Sequence, residues 1–408
     1  MEVIRERCAG LDVHKDTVVA CMRVQTEGQV RREVRSFGTM TQDLLTLSDW
    51  LEAQNCTHAA MEATGVYWKP VWHMLEGHVE LVLANATHIR NVPGRKSDVN
   101  DATWIADLLA HGLIRSSFVP PKPIAELRDL TRTRKQLTRE IVQHTQRIQR
   151  VLQEANVKLD SVISSVLGVS GRRILRAIID GEQDPEVLAS LGSPRLACSP
   201  KALVEALRGR VTAHHRFLLS QHLGLIESLE RTIQQFDEEI ERAIHPFREL
   251  VQLLTAIPGI SNISSRAMVA EIGIQMEQFS TVGHLISWAS LCPRLDESAG
   301  RTRSSRVRVG AAWLKPMQVQ CAWAAVRSKD TYLQAQYLRL KGRRGPKKAI
   351  VAVAASILTA AYHMLKYGVE YRDLGGAYFR KRDSEKVAQR LAKRIRELGY
   401  DVNISKVA

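Results

Sequence analysis

Between residues 127 and 155 the positions that matter fall at alternating steps of three and four. Leu127, Leu130, Leu137, Ile141, Ile148, Val151 and Ala155 lie on the series, and Arg134 and His144 interrupt it with polar groups. That is a heptad seam, and it requires a long uninterrupted helix. Its apolar stripe needs a second helix to cover it. Residues 202–244 supply one, either from the same chain or from another subunit. The rest of the chain is then read as what precedes and follows this helical region.

The segment before it changes period. Residues 5–12 and 17–24 read as strands separated by His14-Lys15-Asp16, and Thr26-Glu27-Gly28 is a turn signal before a third strand over 30–37. Leu44, Leu45, Leu47, Trp50 and Leu51 cluster on one face of a helix over Thr41–Ala53. A short buried strand over His58–Glu62, a helix over 67–76, a strand over 79–83 and a helix over 98–110 follow, the last with Ser97 as its expected N-cap. Three antiparallel strands and then alternating helix and strand is a ribonuclease-H-like order, predicting an α/β domain over 1–118. Pro120-Pro121-Lys122-Pro123 punctuates its end. A coiled-coil domain is expected over 119–248, with loops at 181–185 and 193–200.

Beyond it, Leu253 to Ile260 contains Ile257-Pro258-Gly259-Ile260 and precedes a helical stretch over 264–272. A Pro-Gly turn between two short helices is a helix-hairpin-helix signature, and Gly259 is the position whose neighbourhood could present backbone N–H groups to a phosphate. Residues 293–310 read as a basic loop and 313–327 as a helix. Lys341, Arg343, Arg344, Lys347 and Lys348 make a second basic loop, weighed evenly between a solvated surface and a nucleic-acid contact. This mainly helical domain spans 249–378, and a basic helix and tail occupy 379–408.

Fifty-eight Lys and Arg against 43 Asp and Glu give a net charge of +15. Such an excess favours a polyanionic partner, DNA or RNA before a membrane surface. The opening residues show no signal-peptide core. The longest uncharged stretch, residues 349–365, is short of a span of ~20 residues and reads as a buried helix. Cys8, Cys21, Cys56, Cys198, Cys292 and Cys321 have no zinc or thioredoxin spacing, so they read as thiols of a cytoplasmic protein.

Against that basic background four carboxylates stand out. Asp12 and Glu62 end apolar strands, and Asp98 and Asp101 lie three residues apart. On a helix that spacing puts both on one face. Magnesium takes hard oxygen ligands of this kind, and two such ions ~3.5–4 Å apart can activate a nucleophile and stabilise a leaving oxygen. Each carboxylate alone is more simply structural, Asp98 at a helix dipole or Asp12 at a turn; the four in this order favour a metal site. Ser298 is a loop serine distinguished by its neighbours Arg294, Arg301, Arg303, Arg306 and Arg308. Guanidinium groups hold phosphate bidentately. Ser304 and Ser305 compete with it as nucleophiles. Arg128, Arg132, Arg139, Arg147 and Arg150 on the long helix favour nucleic-acid contact over solvated flanks. Three readings remain: a serine recombinase with a magnesium site, a metal-only junction nuclease in which Ser298 merely binds phosphate, and a non-catalytic scaffold.

Gly10-Leu11-Asp12, Met61-Glu62-Ala63-Thr64-Gly65, Asp98-Val99-Asn100-Asp101-Ala102, Ile257-Pro258-Gly259-Ile260 and Pro293-Arg294 through Ser298 together resemble one family. These are the DEDD-type insertion-sequence transposases guided by a bridge RNA. The likeness covers residues 8–115 and about 250–370. It implies a RuvC-like domain, a coiled coil and a C-terminal transposase domain. It also implies magnesium on Asp12, Glu62, Asp98 and Asp101, and Ser298 as the nucleophile that forms a phosphoserine link to DNA. A structured noncoding RNA would choose both target and donor DNA by base pairing. The implied assembly is a dimer or tetramer with composite active sites, in the cytoplasm at the nucleoid. The alternative is a RuvC-like, metal-dependent Holliday-junction nuclease without covalent serine chemistry.

Overall fold

The computed structural model describes residues 3–86, 89, 92, 100–293, 296–298, 301–304, 306–379 and 384–404. They fall into two compact units, Met1–Pro120 and Pro121–Ala408.

In the first unit β1 (Arg7–Val13), β2 (Thr17–Thr26) and β3 (Gln29–Gly38) form an antiparallel meander. After α1 (Thr41–Ala53), β4 (His58–Glu62) joins the other side of β1, parallel to it. After α2 (Trp68–Leu75), β5 (Glu80–Ala84) lies parallel to β4. The sheet order is β3-β2-β1-β4-β5. Parallel neighbours cannot be joined by a hairpin, so each needs a helical crossover. Strand alternation sorts the side chains by face. Leu11, Val13, Met61 and Leu83 point to one side, where Leu44, Leu47 and Leu51 of α1 and Val71 and Leu75 of α2 cover them. Cys8, Ala60, Val82 and Ala84 point to the other, under α3 (Asp101–Ala110) and its Ile105, Leu108 and Leu109.

The second unit is mostly helical. α4 (Lys122–Glu154) runs 33 residues, with Pro123 in its first turn where a missing N–H costs nothing. α5 (Leu159–Val162), α6 (Val169–Asp180), α7 (Pro185–Ser190) and α8 (Pro200–Leu207) form a cap that buries Ile148, Val151 and Leu152 of α4. α9 (Ala213–Ile244) then runs back along α4. Arg134 pairs with Asp237 and His144 meets His222, so one number falls as the other rises and the helices are antiparallel. The seam therefore closes within one chain, and its two polar interruptions find polar partners. At the far end Ile124, Leu127, Ile240 and Ile244 enter a larger core. That core is built with α10 (Arg248–Thr255), α11 (Asn262–Ile272), α12 (Val282–Trp288), α13 (Leu314–Ala325), α14 (Tyr332–Arg344) and α15 (Pro346–Tyr367). A hairpin of β6 (Asp296–Ser298) and β7 (Arg301–Ser304) lies between α12 and α13, and α16 (Ser384–Glu397) follows the core.

Several expectations change. The helix expected over 202–244 is two helices: at Gly209 the chain passes so close to Ala155 that an added Cβ would meet its carbonyl oxygen at 2.5 Å. Thr212 then restarts the helix, its own N–H donating to His215 Nδ1 at 3.2 Å. Ser97 lies outside the described residues; the N-cap of α3 is Asn100, whose Oδ1 accepts from the Ala102 N–H at 2.8 Å. The basic segment 293–310 contains the β6–β7 hairpin rather than a loop alone. The second basic segment is no loop either. Lys341, Arg343 and Arg344 occupy the last turn of α14, where the helix dipole favours cations, and Lys347 and Lys348 begin α15 directly after Gly345-Pro346. The uncharged stretch is the body of α15, with Ile350, Val353, Ile357 and Leu358 in the core. Among the described helices, α15 alone is long and apolar enough to cross a membrane, and half of its apolar window is buried in the protein.

Candidate functional sites

The first site is set by register. β1 and β4 pair from Cys8–His58 to Leu11–Met61, so the next step places Asp12 beside Glu62. Both belong to the face that carries Gly10 and Ala60, at the C-terminal ends of two central parallel strands. Crevices at such strand ends are where open α/β sheets bind ligands. α3 descends on this face against the direction of β1: Cys8 Sγ donates to the Ala106 carbonyl at 3.6 Å, and a Cβ on Gly10 would strike Ala102 O at 2.1 Å. Continuing that antiparallel path brings the N-terminal end of α3 toward Asp12. Only a glycine at position 10 permits the approach. Two arginines fasten the same helix: Arg23, buried, donates to Asp107 Oδ1 at 3.1 Å, and Arg32 donates to it at 2.9 Å. These ties, which no local feature of the sequence marks, follow from the strand pairing of Arg23 with Arg32.

Asp12 is half-buried, with His14 Nε2 3.2 Å from its Oδ2. Glu62 is half-buried and Asp101 is exposed at the first position of α3. Asp98, and with it the helix face expected to be shared with Asp101, lies outside the described residues; the described helix begins at Asp101. Among the described residues no three His, Cys, Asp or Glu side chains are grouped to hold a metal ion. The donors of the strand-end pair, carboxylate oxygens, fit a hard divalent cation in kind.

The second site is the cationic hairpin. Ser298 pairs with Arg301 across β6 and β7. Its side chain, those of Arg303 and Thr302, and all of Arg294 lie outside what is described. Arg301, Arg306 and Arg308 are exposed. Lys341, Arg343, Arg344, Lys347 and Lys348 are also exposed, around the Gly345 corner. Gly259 has a packing role: its φ is +84°, and an added Cβ would meet Cys321 O at 2.3 Å and Ala325 N at 2.6 Å. The turn it makes ends in the N-cap of α11, where Ser261 and Ser264 form a capping box.

The arginines of α4 divide. Arg128 caps the end of α11, donating to the carbonyls of Ala270 and Glu271 at 2.9 and 2.8 Å. Arg132 donates to both oxygens of Glu271 at 2.7 and 2.8 Å, and Arg150 to Glu154 at 3.0 Å. Arg128 and Arg132 are spent inside the protein, whereas the Arg150 pair lies on the surface. Arg139 instead lies over the ring of Trp313, 5.0 Å from its centre.

A sheet with carboxylates at the C-terminal ends of two neighbouring parallel strands, joined to a helical unit with exposed clusters of arginine and lysine, has the features of an enzyme acting on DNA. Residues 9–157 match the DEDD-type IS110 model, described as a transposase, and residues 251–338 match the transposase IS116/IS110/IS902 family. Comparison with curated proteins gives no match. The two matched segments together cover more than half of the chain, which belongs to the IS110-type transposases.

Proposed function

We propose that this transposase cuts and rejoins DNA through a covalent link to Ser298, and that Asp12, Glu62, Asp98 and Asp101 hold magnesium in a RuvC-like domain. The observation that carries the reading is the β1–β4 register, paired as far as Leu11 and Met61, whose next residues on the α3 face are Asp12 and Glu62. The strand order β3-β2-β1-β4-β5 supports the RuvC-like assignment. Bound magnesium would lower the cost of negative charge at the scissile phosphate.

In the serine step the Oγ of Ser298 loses its proton and forms a bond to phosphorus. One P–O bond of the phosphodiester breaks and a free deoxyribose hydroxyl leaves. Attack by a hydroxyl from another strand reverses these changes and frees the serine. One diester replaces another, so the step conserves bond energy and needs no nucleotide cofactor. The arginines at 294, 301, 303, 306 and 308 would neutralise the transferring phosphoryl group.

The resemblance adds guidance by a structured noncoding bridge RNA that pairs with target and donor DNA, and an assembly of two or four copies. The cationic corner at Lys341, Arg343, Arg344, Lys347 and Lys348 supports a backbone contact with one of these nucleic acids. The test is copurification: a defined RNA encoded by the mobile element should come with the protein. Only bulk cellular RNA, removed by moderate salt, would argue against guidance.

A further inference from the structure

A cleft of about 650 Å3 opens in the second unit between α4, α11 and α13. Much of its lining is apolar, with Ile240 buried and Ile263, Ala267, Met317 and Ala324 nearer the opening. Its rim is cationic, but the cations there are not equivalent. Arg134 is engaged by Asp237 at 2.5 and 2.9 Å, and Arg132 by Glu271. Arg266 is engaged by Glu241 and Asn262. The two carboxylates that line the cleft, Asp237 and Glu271, are thus already matched. Lys135 and Arg139, four residues apart on one face of α4, are exposed and have no carboxylate partner among the described residues. Trp313 forms a wall beside them, with the guanidinium groups of Arg132 and Arg139 at 5.5 and 5.0 Å from its ring centre.

An apolar slot, an aromatic wall and two cations without a carboxylate partner at the mouth match the parts of a nucleotide, with the Arg139 guanidinium now occupying the indole surface a base would take. The base is a flat apolar surface that stacks on an indole, and the phosphate is an anion that needs a cation. The volume falls within the range of small-ligand pockets. An apolar peptide side chain would cover the apolar lining and leave Lys135 and Arg139 without countercharge. A paired base cannot enter, because its faces are covered by its neighbours in the stack.

We propose that this cleft holds one unpaired nucleotide of a single-stranded DNA or RNA, its base replacing the Arg139 guanidinium on Trp313 and its adjoining phosphate on Lys135 and the displaced Arg139. The proposal rests on the reading of the chain as a nucleic-acid enzyme, and not on Ser298 or the strand-end carboxylates. The test uses the full chain and fluorescent 20-nucleotide probes: single-stranded DNA, single-stranded RNA of the same sequence, and the blunt duplex. Binding is measured over a series of salt concentrations. Trp313→Leu should weaken single strands about tenfold and leave the salt slope unchanged. Trp313→Phe, which keeps a ring, should recover most of that loss. Lys135→Gln with Arg139→Gln should weaken the same probes and lower the slope by about 0.7 for each phosphate no longer neutralised. The probe affected, DNA or RNA, identifies the source of the nucleotide. Unchanged single-strand binding in both variants, or an equal loss on the duplex, would overturn the proposal. A parent protein that binds none of the three probes would also overturn it, and the functional reading with it.

Discussion

At Gly10 a single added methyl group would meet the carbonyl oxygen of Ala102 at 2.1 Å and the amide nitrogen of Ala106 at 2.4 Å. Both are backbone atoms of α3, so the helix must move as a whole. Gly10→Ala should cost about 1–3 kcal/mol, seen as a lower urea midpoint with an unchanged slope. An unchanged midpoint would mean that α3 does not seat as closely as described. Glu271 presents the opposite case. Its carboxylate is almost fully buried against Arg132, and Glu271→Leu would leave that guanidinium without its partner. About 2–4 kcal/mol of stability should be lost, measured the same way. Asp12 and Glu62 could be picked out in the sequence because each ends an apolar run. Glu271, Asp107 and Trp313 could not: their partners lie far along the chain, and nothing in their immediate surroundings marks them.

The α4–α9 pair contains a titrating contact. His144 Nδ1 and His222 Nδ1 lie 3.2 Å apart. Burial, then His144 and Arg147, hold the ionisation of His222 below its ordinary value of 6.5. The unfolded chain therefore protonates this group at a higher pH than the folded chain does. The neutral His222 stabilises the fold fully above pH 6.5, and that contribution is lost as pH falls through 6.5 toward the lower folded value. His222→Gln should flatten this part of the stability–pH curve; a parent curve already flat between pH 7 and 5 would contradict the account. Elements were readable where period and punctuation agreed, as in β1 to β3 and α15. The corner at Gly345 misled, because charge density suggests a loop and only α14 and α15 together show cations at two helix ends. The β6–β7 hairpin was hidden because its alternation lasts only three or four residues per strand.

For the whole molecule, the distribution of thiols gives a simple check. Burial pushes Cys56 up to about 12 and Cys8 to about 11, and Cys21 and Cys321 are raised as well. Cys198 and Cys292 are only half-buried. Alkylation of the native protein near pH 8 should mark Cys198 and Cys292 first, with the other four reacting on unfolding, as peptide mass mapping would show. The α/β character of the first unit, the long helices and the core position of α15 were all legible in the sequence. The closure of the seam within one chain was not, since a heptad pattern specifies a partner helix and not its source. In the proposed reaction DNA is cut by Ser298 together with the strand-end carboxylates. Its most direct test incubates the parent protein, Ser298→Ala and Asp12→Asn with magnesium, copurified RNA and a plasmid carrying the element and its flanks, and then looks for a protein–DNA adduct that survives denaturation. The parent should form the adduct and both variants should not, while all three retain their RNA. DNA cleavage by the parent without any adduct, or an adduct that persists in Ser298→Ala, would contradict the proposed reaction.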